Sequence, residues 1–444
     1  MNTLIGIALV LGLMIMIHEW GHFIVARLFK VRVDVFSIGF GPRLFGWKRG
    51  ATDYRVSALP FGGYVRMAGQ DLSEVDSNDV APTGAPDELM SKPRWQRALI
   101  SFAGPAVNLI FPILLLTGLF VAVGLPYSAF LDKPVQVVAM PSGTATTADS
   151  LQPGDKLQSI NGVSNPTWEQ AQKALKPAPA GGKLRVEVEN SGLKRSVEIP
   201  VSDGATLERV FGFVPLPPIL DEVAPGTPAE RAGLKEGDVI RAVDGKKVEY
   251  WGQFVEIVRG SNGKPVKLDI ERKGQTVHVE VAPQKGATES GEPIYQVGVA
   301  VLDPTSYRRV SFADGGRYAF ATTGDRIKET IAVVGKLFSG RVSVKQLQGA
   351  VGISRAAGEA VRKGPLAVIS LMVLISVNLG ILNLLPIPIL DGGNILLLTL
   401  EGIRRRDFSL AFKERFVQVG FVFLLVLFAY VMYNDVVRWL PSHS

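Results

Sequence analysis

The chain has 444 residues, a net charge of +7 and no cysteine, and at 47% hydrophobic residues with a mean hydropathy of +0.22 it is too apolar for an ordinary soluble protein. Its length leaves room for more than one domain. The lack of cysteine excludes disulfides and thiolate ligands, so any zinc must use imidazole and carboxylate. No aromatic-studded basic patch occurs, and much of the basic charge flanks apolar blocks where membrane topology accounts for it, so nucleic acid is excluded as a partner.

Four apolar blocks, 4–26, 98–131, 366–400 and 416–433, are long enough to cross a bilayer core, which takes about 20 helical residues. The first lacks a basic leader and an A-x-A cleavage site, so it is expected to be retained rather than removed as a signal peptide. Near its end stands His18-Glu19-Trp20-Gly21-His22. In a helix, positions i and i+4 share a face, so His18 and His22 point the same way. Two imidazoles so placed can take two corners of a tetrahedral zinc, and Glu19 sits where it can deprotonate a water held there. Ionisable groups at membrane depth are costly and point to function. Lys and Arg are dense in 27–97 and 404–415, for example Arg27, Lys30, Arg32, Arg404, Arg405 and Arg406. The positive-inside rule then places both termini and the long segment 132–363 outside the cytoplasm, with the metal motif near the cytoplasmic leaflet.

Residues 31–66 are rich in β-branched and aromatic residues with glycines at turn positions, which predicts hairpins. The cluster Gly39-Phe40-Gly41-Pro42 allows close backbone approach, and an exposed strand edge there could pair with an extended peptide. Residues 71–90 are acidic and poor in large apolar residues, a pattern expected of a cytoplasmic loop. An internal repeat follows within 132–303. Leu151-Gln152-Pro153-Gly154-Asp155 aligns with Leu234-Lys235-Glu236-Gly237-Asp238, Ile160-Asn161-Gly162 with Val243-Asp244-Gly245, Trp168 with Trp251 and Gln170 with Gln253. Each copy reads as turn, strand, tight turn, strand and helix, and the run Gly226–Leu234 resembles PDZ domains, which bind extended peptides or chain ends along a sheet edge. The first copy departs from that pattern at its start, Pro141–Ala145. Ile327, Ile331, Val334 and Phe338 then mark an amphipathic helix over 317–339.

Across 366–400 the only acidic or basic side chain before Glu401 is Asp391, in Leu385-Pro386-Ile387-Pro388-Ile389-Leu390-Asp391-Gly392-Gly393. Prolines and glycines break the helix, and broken backbone at membrane depth is tolerated only where it is buried or lines a polar cavity. A catalytic zinc takes three protein ligands, and Asp391 is the carboxylate available to be the third.

With the runs Phe36–Pro42, Ala103-Gly104-Pro105-Ala106-Val107-Asn108 and Val377–Asn383, these residues resemble the site-2 family of intramembrane metalloproteases over essentially the whole chain. The resemblance implies a multi-pass α-helical membrane protein with four transmembrane helices. A membrane-associated β-hairpin region and two tandem PDZ domains of mixed β/α type, inserted between helices 2 and 3, complete the fold class. The expected boundaries are 1–30, 31–66, 67–97, 98–131, 132–215, 216–303, 304–364, 365–400, 401–415, 416–434 and 435–444. It further implies one Zn2+ per chain on His18, His22 and Asp391, Glu19 as general base, and Asn378, Asn383, Pro386 and Pro388 holding an unwound substrate, with Gly39 and Gly41 in the strand-pairing region. The implied setting is a bacterial inner membrane, in regulated intramembrane proteolysis during a stress response. Substrates would be single-pass membrane proteins, such as anti-sigma factors already cut by another protease. Membrane lipid and PDZ-bound peptides or chain ends are further expected partners. Asn394 departs from the family, whose close members often carry histidine after Asp-Gly-Gly. Three rivals are a membrane-anchored PDZ scaffold with a vestigial or structural metal site, a transporter, and a zincin-like protease acting on soluble protein. The four intact motif residues, the small number of spans without a repeat among them, and the apolar setting of the motif disfavour them in turn.

Overall fold

The computed structural model describes residues 6–70, 83–140, 150–175, 183–200, 206–287, 293–339 and 349–439. Most of the acidic loop and the start of the first repeat lie outside the described residues. The chain divides into two compact units, Met1–Leu125 with Arg309–Ser444, and Pro126–Arg308.

The first unit contains four helices long and apolar enough to span a membrane: Val10–Leu28, Arg94–Ala122, Pro365–Asn383 and Ala411–Asp435. The last presents Val419, Phe421, Val422, Phe423, Leu425, Val426 and Phe428 to the outside, an apolar surface suited to lipid rather than water. The second helix ends earlier than the apolar block suggested, because Gly124 adopts φ +114 and Pro126 follows. The apolar run 366–400 is not one helix. It forms Pro365–Asn383 and Asp391–Arg404, with the proline-containing segment 384–390 between them. Buried Glu401 pairs with Lys413 at 3.1 Å and accepts the Phe408 amide at 2.9 Å, so the turn into the last helix is tied to the helix before it. Arg94 joins this end through two bonds to Asp407, at 3.0 and 2.6 Å. The segment predicted as an amphipathic helix, 317–339, lies in helix Phe312–Phe338, and a second helix, Ala350–Lys363, stands before the third membrane helix. Ser311 caps the first by accepting the Asp314 amide.

Two long strands, Val33–Arg49 and Thr52–Met67, follow the first membrane helix. They bend so that each pairs twice. Residues 33–38 run antiparallel to 63–67, as in Phe36 opposite Val65 and Ile38 opposite Gly63. The same residues also meet 53–56 with both numbers rising together, from Val35 with Asp53 to Ile38 with Val56, and 45–49 then run antiparallel to 52–56. The result is a four-rung sheet with 63–67 on one edge and 43–49 on the other. Buried Val33, Val65 and Met67 pack with Ala26 and Ile100 and fix the sheet to the first two membrane helices.

The second unit holds two modules of the same design. In the first, Lys156–Ile160, Val163–Ser164, Lys183–Asn190 and Leu193–Pro200 form one sheet. In the second, Val239–Val243, Lys246–Lys247, Val266–Arg272 and Gln275–Val281 form another, with the second strand outermost and the first next to the third in both. The aligned turns have the same shape: Asn161 and Asp244 take φ +48 and +49, and each is followed by a glycine with positive φ. Asn161 Oδ1 accepts the Arg185 amide and Asp244 Oδ1 the Lys267 amide. The aligned glutamines also match, since Gln170 accepts the Thr167 amide and Gln253 the equivalent Tyr250 amide at the helix starts.

Candidate metal centre

One turn of the first membrane helix, Leu13–Leu28, places His18 and His22 on a common buried face. Their rings meet edge to face with centroids 4.8 Å apart, and their Nε2 atoms are separated by 3.2 Å. Asp391 arrives from the first position of helix Asp391–Arg404, with Oδ2 3.2 Å from His18 Nε2 and Oδ1 3.5 Å from His22 Nε2. One ligand atom from each residue lies within 4.8 Å of the other two. Imidazole nitrogens and a carboxylate oxygen are suitable donors for zinc.

The backbone is shaped to bring Asp391 there. Ile389 has φ +80, a strained conformation for a β-branched residue, two positions before the carboxylate. The segment 384–388 folds back against the start of the helix so closely that a Cβ on Gly392 would lie 2.3 Å from the Leu384 and Leu385 carbonyl oxygens. One on Gly393 would lie 2.2 Å from that of Ile387. Only glycine fits at either position.

The second membrane helix supports the rings. His22 Nδ1 is 2.7 Å from the Ile100 carbonyl oxygen. A carbonyl can only accept, so His22 carries a proton on Nδ1 and turns Nε2 towards Asp391. Gly104, one turn further along, has no side chain to fill the space. A Cβ there would fall 2.3 Å from His22 Nε2 and 2.8 Å from His18 Cε1. Asn108, another turn on, places Nδ2 3.1 Å from His18 Nδ1. Close approach of the two helices is permitted by Gly21, where a Cβ would meet the Ala103 oxygen at 2.5 Å.

Glu19 is half-buried beside these residues, and a Cβ on Gly63 in the edge rung of the sheet would lie 3.4 Å from its Cγ. Asn383 places Nδ2 3.2 Å from His18 Nε2, at the metal-facing side of the ring. Asn378 is further along the same helix, where its Oδ1 accepts the Thr330 hydroxyl at 2.9 Å. Pro388 packs on Gly420 of the last helix, and Pro386 is exposed. Gly39 is buried at φ +90 with its carbonyl accepting the Ser37 hydroxyl, whereas Gly41 is exposed at φ +85. Asn394 is exposed on its helix. Sequence reasoning assigned no role to Gly63, Ile100, Gly104 or Asn108. Gly104 and Asn108 belong to a run noted as family-like, and their four-residue spacing is the one signal that could have placed both on one helix face.

The chain matches the Peptidase family M50 profile over residues 6–427. It is 31% identical over 458 residues to a "Putative zinc metalloprotease" from Neisseria meningitidis, covering 99% of this chain and all of that relative. It is 32% identical over 463 residues to the "Regulator of sigma-E protease RseP" of Salmonella typhimurium, covering 98% of each. Over 19% of its length it is also similar to the crystal structure of the PDZ domain of an SdrC-like protein from Listeria monocytogenes, at 20% identity, 86% of that chain and a TM-score of 0.17. With the family profile spanning nearly its whole length, the chain belongs to Peptidase family M50 and is a metalloprotease.

Proposed function

We propose that the protein cleaves the membrane segments of single-pass membrane proteins, using one zinc ion held by His18, His22 and Asp391. The observation that carries this reading is the convergence of those three side chains, from the first membrane helix and from the start of helix Asp391–Arg404, beside Glu19. When bound, zinc lowers the pKa of a water to about 7 and polarises the scissile carbonyl. Glu19, beside these ligands, would serve as the general base and acid, accepting a proton from the attacking water and passing one to the leaving amine. Asp391 and the two rings hold the metal, and the Ile100 carbonyl keeps His22 in the tautomer that offers Nε2. Asn383, beside His18 Nε2, has a side-chain amide in reach of the reacting peptide.

A helical substrate hides its carbonyls in hydrogen bonds, so it must be extended before attack. Rung 63–67 has a strand partner on one side among the described residues and runs past Glu19. An extended substrate segment adds to this edge. Gly63 is the closer backbone to the chemistry, so the substrate contact belongs to this rung more than to Gly39 and Gly41. Asn378, Pro386 and Pro388 shape the broken helix that faces the extended segment. The two modules of the second unit act as tandem PDZ domains that screen out substrates with bulky outer parts, and their grooves take peptides or chain ends. The basic segments 27–97 and 404–415 face the cytoplasm of a bacterial inner membrane, and the termini and modules lie in the periplasm. The relatives named for sigma-E regulation suggest anti-sigma factors, already trimmed by another protease, as substrates.

The test is a cleavage assay in liposomes with single-pass substrates carrying or lacking bulky outer domains, comparing wild type with Glu19→Gln. Trimmed substrates cut by wild type alone, with activity lost to a chelator, support the reading. Equal inertness of both proteins with zinc bound contradicts it.

A further inference from the structure

The chain passes between its two units twice, after Leu125 and after Arg308. The strands at these crossings, Leu125–Ser128 and Thr305–Arg308, pair with each other as a two-stranded ribbon. The Ala129 amide adds a bond to the Pro304 carbonyl at 2.7 Å, and the Ser128 hydroxyl one to the Asp303 carboxylate. The outgoing strand runs directly into the first module. Phe130 packs edge to face on buried Trp168, whose amide donates to the Lys133 carbonyl at 3.1 Å.

The returning strand comes from the second module, yet its last residue is gripped by the first. Arg308 donates from Nη1 and Nη2 to the two carboxylate oxygens of Glu169, at 2.8 and 2.9 Å, across 139 positions of sequence. Glu169 stands in the first turn of helix Trp168–Leu175 of the first module. The same guanidinium lies over the Tyr127 ring, 4.7 Å from its centroid, and Nη2 reaches Asp132 Oδ1 at 3.5 Å. Tyr127 in turn donates its hydroxyl to Asp132. A forked pair fixes direction as well as distance, and stacking on a ring fixes the plane of the fork. Arg308 therefore joins three parts that a two-stranded ribbon alone leaves free to pivot: the returning strand, the outgoing strand and the first module's helix. Its half-exposed ion pair adds little to folding. Its geometry does more, because it binds both crossings to one module.

We propose that Arg308 and Glu169 are specificity-determining residues: their clamp holds the first module fixed on the two crossings, and a module so fixed is what turns away substrates with bulky outer parts. With the clamp open, the first module swings on the ribbon and the screen leaks, while the chemistry in the membrane unit is untouched. The inference rests on the reading of the two modules as a size screen.

The experiment uses full-length protein in liposomes and two single-pass substrates, one trimmed and one carrying a folded outer domain. Arg308→Gln should leave cleavage of the trimmed substrate unchanged and raise cleavage of the bulky one about fivefold, the population change that loss of an exposed ion pair permits. Lys173 still pairs with Glu169 at 2.8 Å, so this variant strands no carboxylate. A second protein removes any doubt over folding. The chain has no cysteine, so Arg308→Cys with Glu169→Cys places its only two thiols at the clamp. Before bridging with a short bifunctional thiol reagent it should cut the bulky substrate as Arg308→Gln does, and after bridging it should exclude that substrate as wild type does. Wild-type exclusion in Arg308→Gln, or a bridged protein that still cuts the bulky substrate, overturns the clamp. A wild type that cuts both substrates equally overturns the size screen itself, and the clamp with it.

Discussion

Asp238 in the second unit and Asp391 in the first are both withdrawn from solvent, yet their surroundings differ in kind. Asp238 is gripped by Arg272, Nε to Oδ1 and Nη2 to Oδ2, each at 2.7 Å, and accepts the Lys235 amide. Asp155, its counterpart in the first module, accepts the Gln152 amide, the Asn190 side chain and Arg195. Among the described residues no Lys or Arg pairs with Asp391, which faces only two imidazoles. A structural carboxylate receives a permanent cation from the protein. One set between two imidazoles offers, with them, three ligand atoms to a cation from outside. The two modules add a finer lesson. Position 272 is arginine in one and asparagine in the other, at Asn190, and the charge is restored from the neighbouring strand by Arg195.

Substitutions in the membrane unit should abolish chemistry, and those in the modules should cost stability. Glu19→Gln should lower turnover about 10²–10⁴-fold or more, the range for losing a general base, with thermal unfolding unchanged. Gly104→Ala should be as damaging by another route, because the added Cβ displaces both rings; zinc content measured after purification should fall along with activity. Arg272→Ala should destabilise the second module by about 3–5 kcal/mol, since it leaves a buried carboxylate without its cation. Arg195→Ala should cost less, about 1–3 kcal/mol, because Asn190 and the Gln152 amide still serve Asp155. Denaturant unfolding of the full chain, followed by Trp168 and Trp251 fluorescence, tests that order. A larger loss from Arg195→Ala would break the comparison between modules.

The smallest effect is a pH dependence in the first module. Hydrogen bonds from Arg308, then Lys173, bring the Glu169 carboxyl down to about 2. The lowered folded pKa means the stabilisation is fully present above the ordinary carboxylate range and fades as pH falls towards 2. Arg308 is half exposed, so the pair should contribute about 1 kcal/mol or less. Glu169→Gln should flatten the acid side of the stability profile by that amount.

The legible part of the site was the part that departs from its background. His18 and His22 stand out because imidazoles four residues apart in an apolar helix have one geometric meaning, and Asp391 because it is a carboxylate in a run without other charge. The repeat was legible because turns, buried aspartates and capping glutamines recur at matching positions. Ile100 could not be read as a partner of His22, since it contributes only a carbonyl that every residue has. Gly63 looked like any turn glycine until the sheet folded its edge past Glu19. The parallel pairing of 33–38 with 53–56 was hidden as well, because hairpin patterning records the alternation of side chains and not which rungs become neighbours. Helix breaking was expected from the prolines and the two glycines together, but Gly392 and Gly393 stand inside helix Asp391–Arg404, where they make room for the returning backbone.

X-ray absorption at the zinc edge, on the purified full-length protein, tests the central claim most directly. The account predicts one zinc per chain, bound by two imidazoles and by carboxylate oxygen, and lost in Asp391→Ala. Zinc ringed by oxygen alone, or retained with unchanged ligands after His18 and His22 are both replaced, would contradict it.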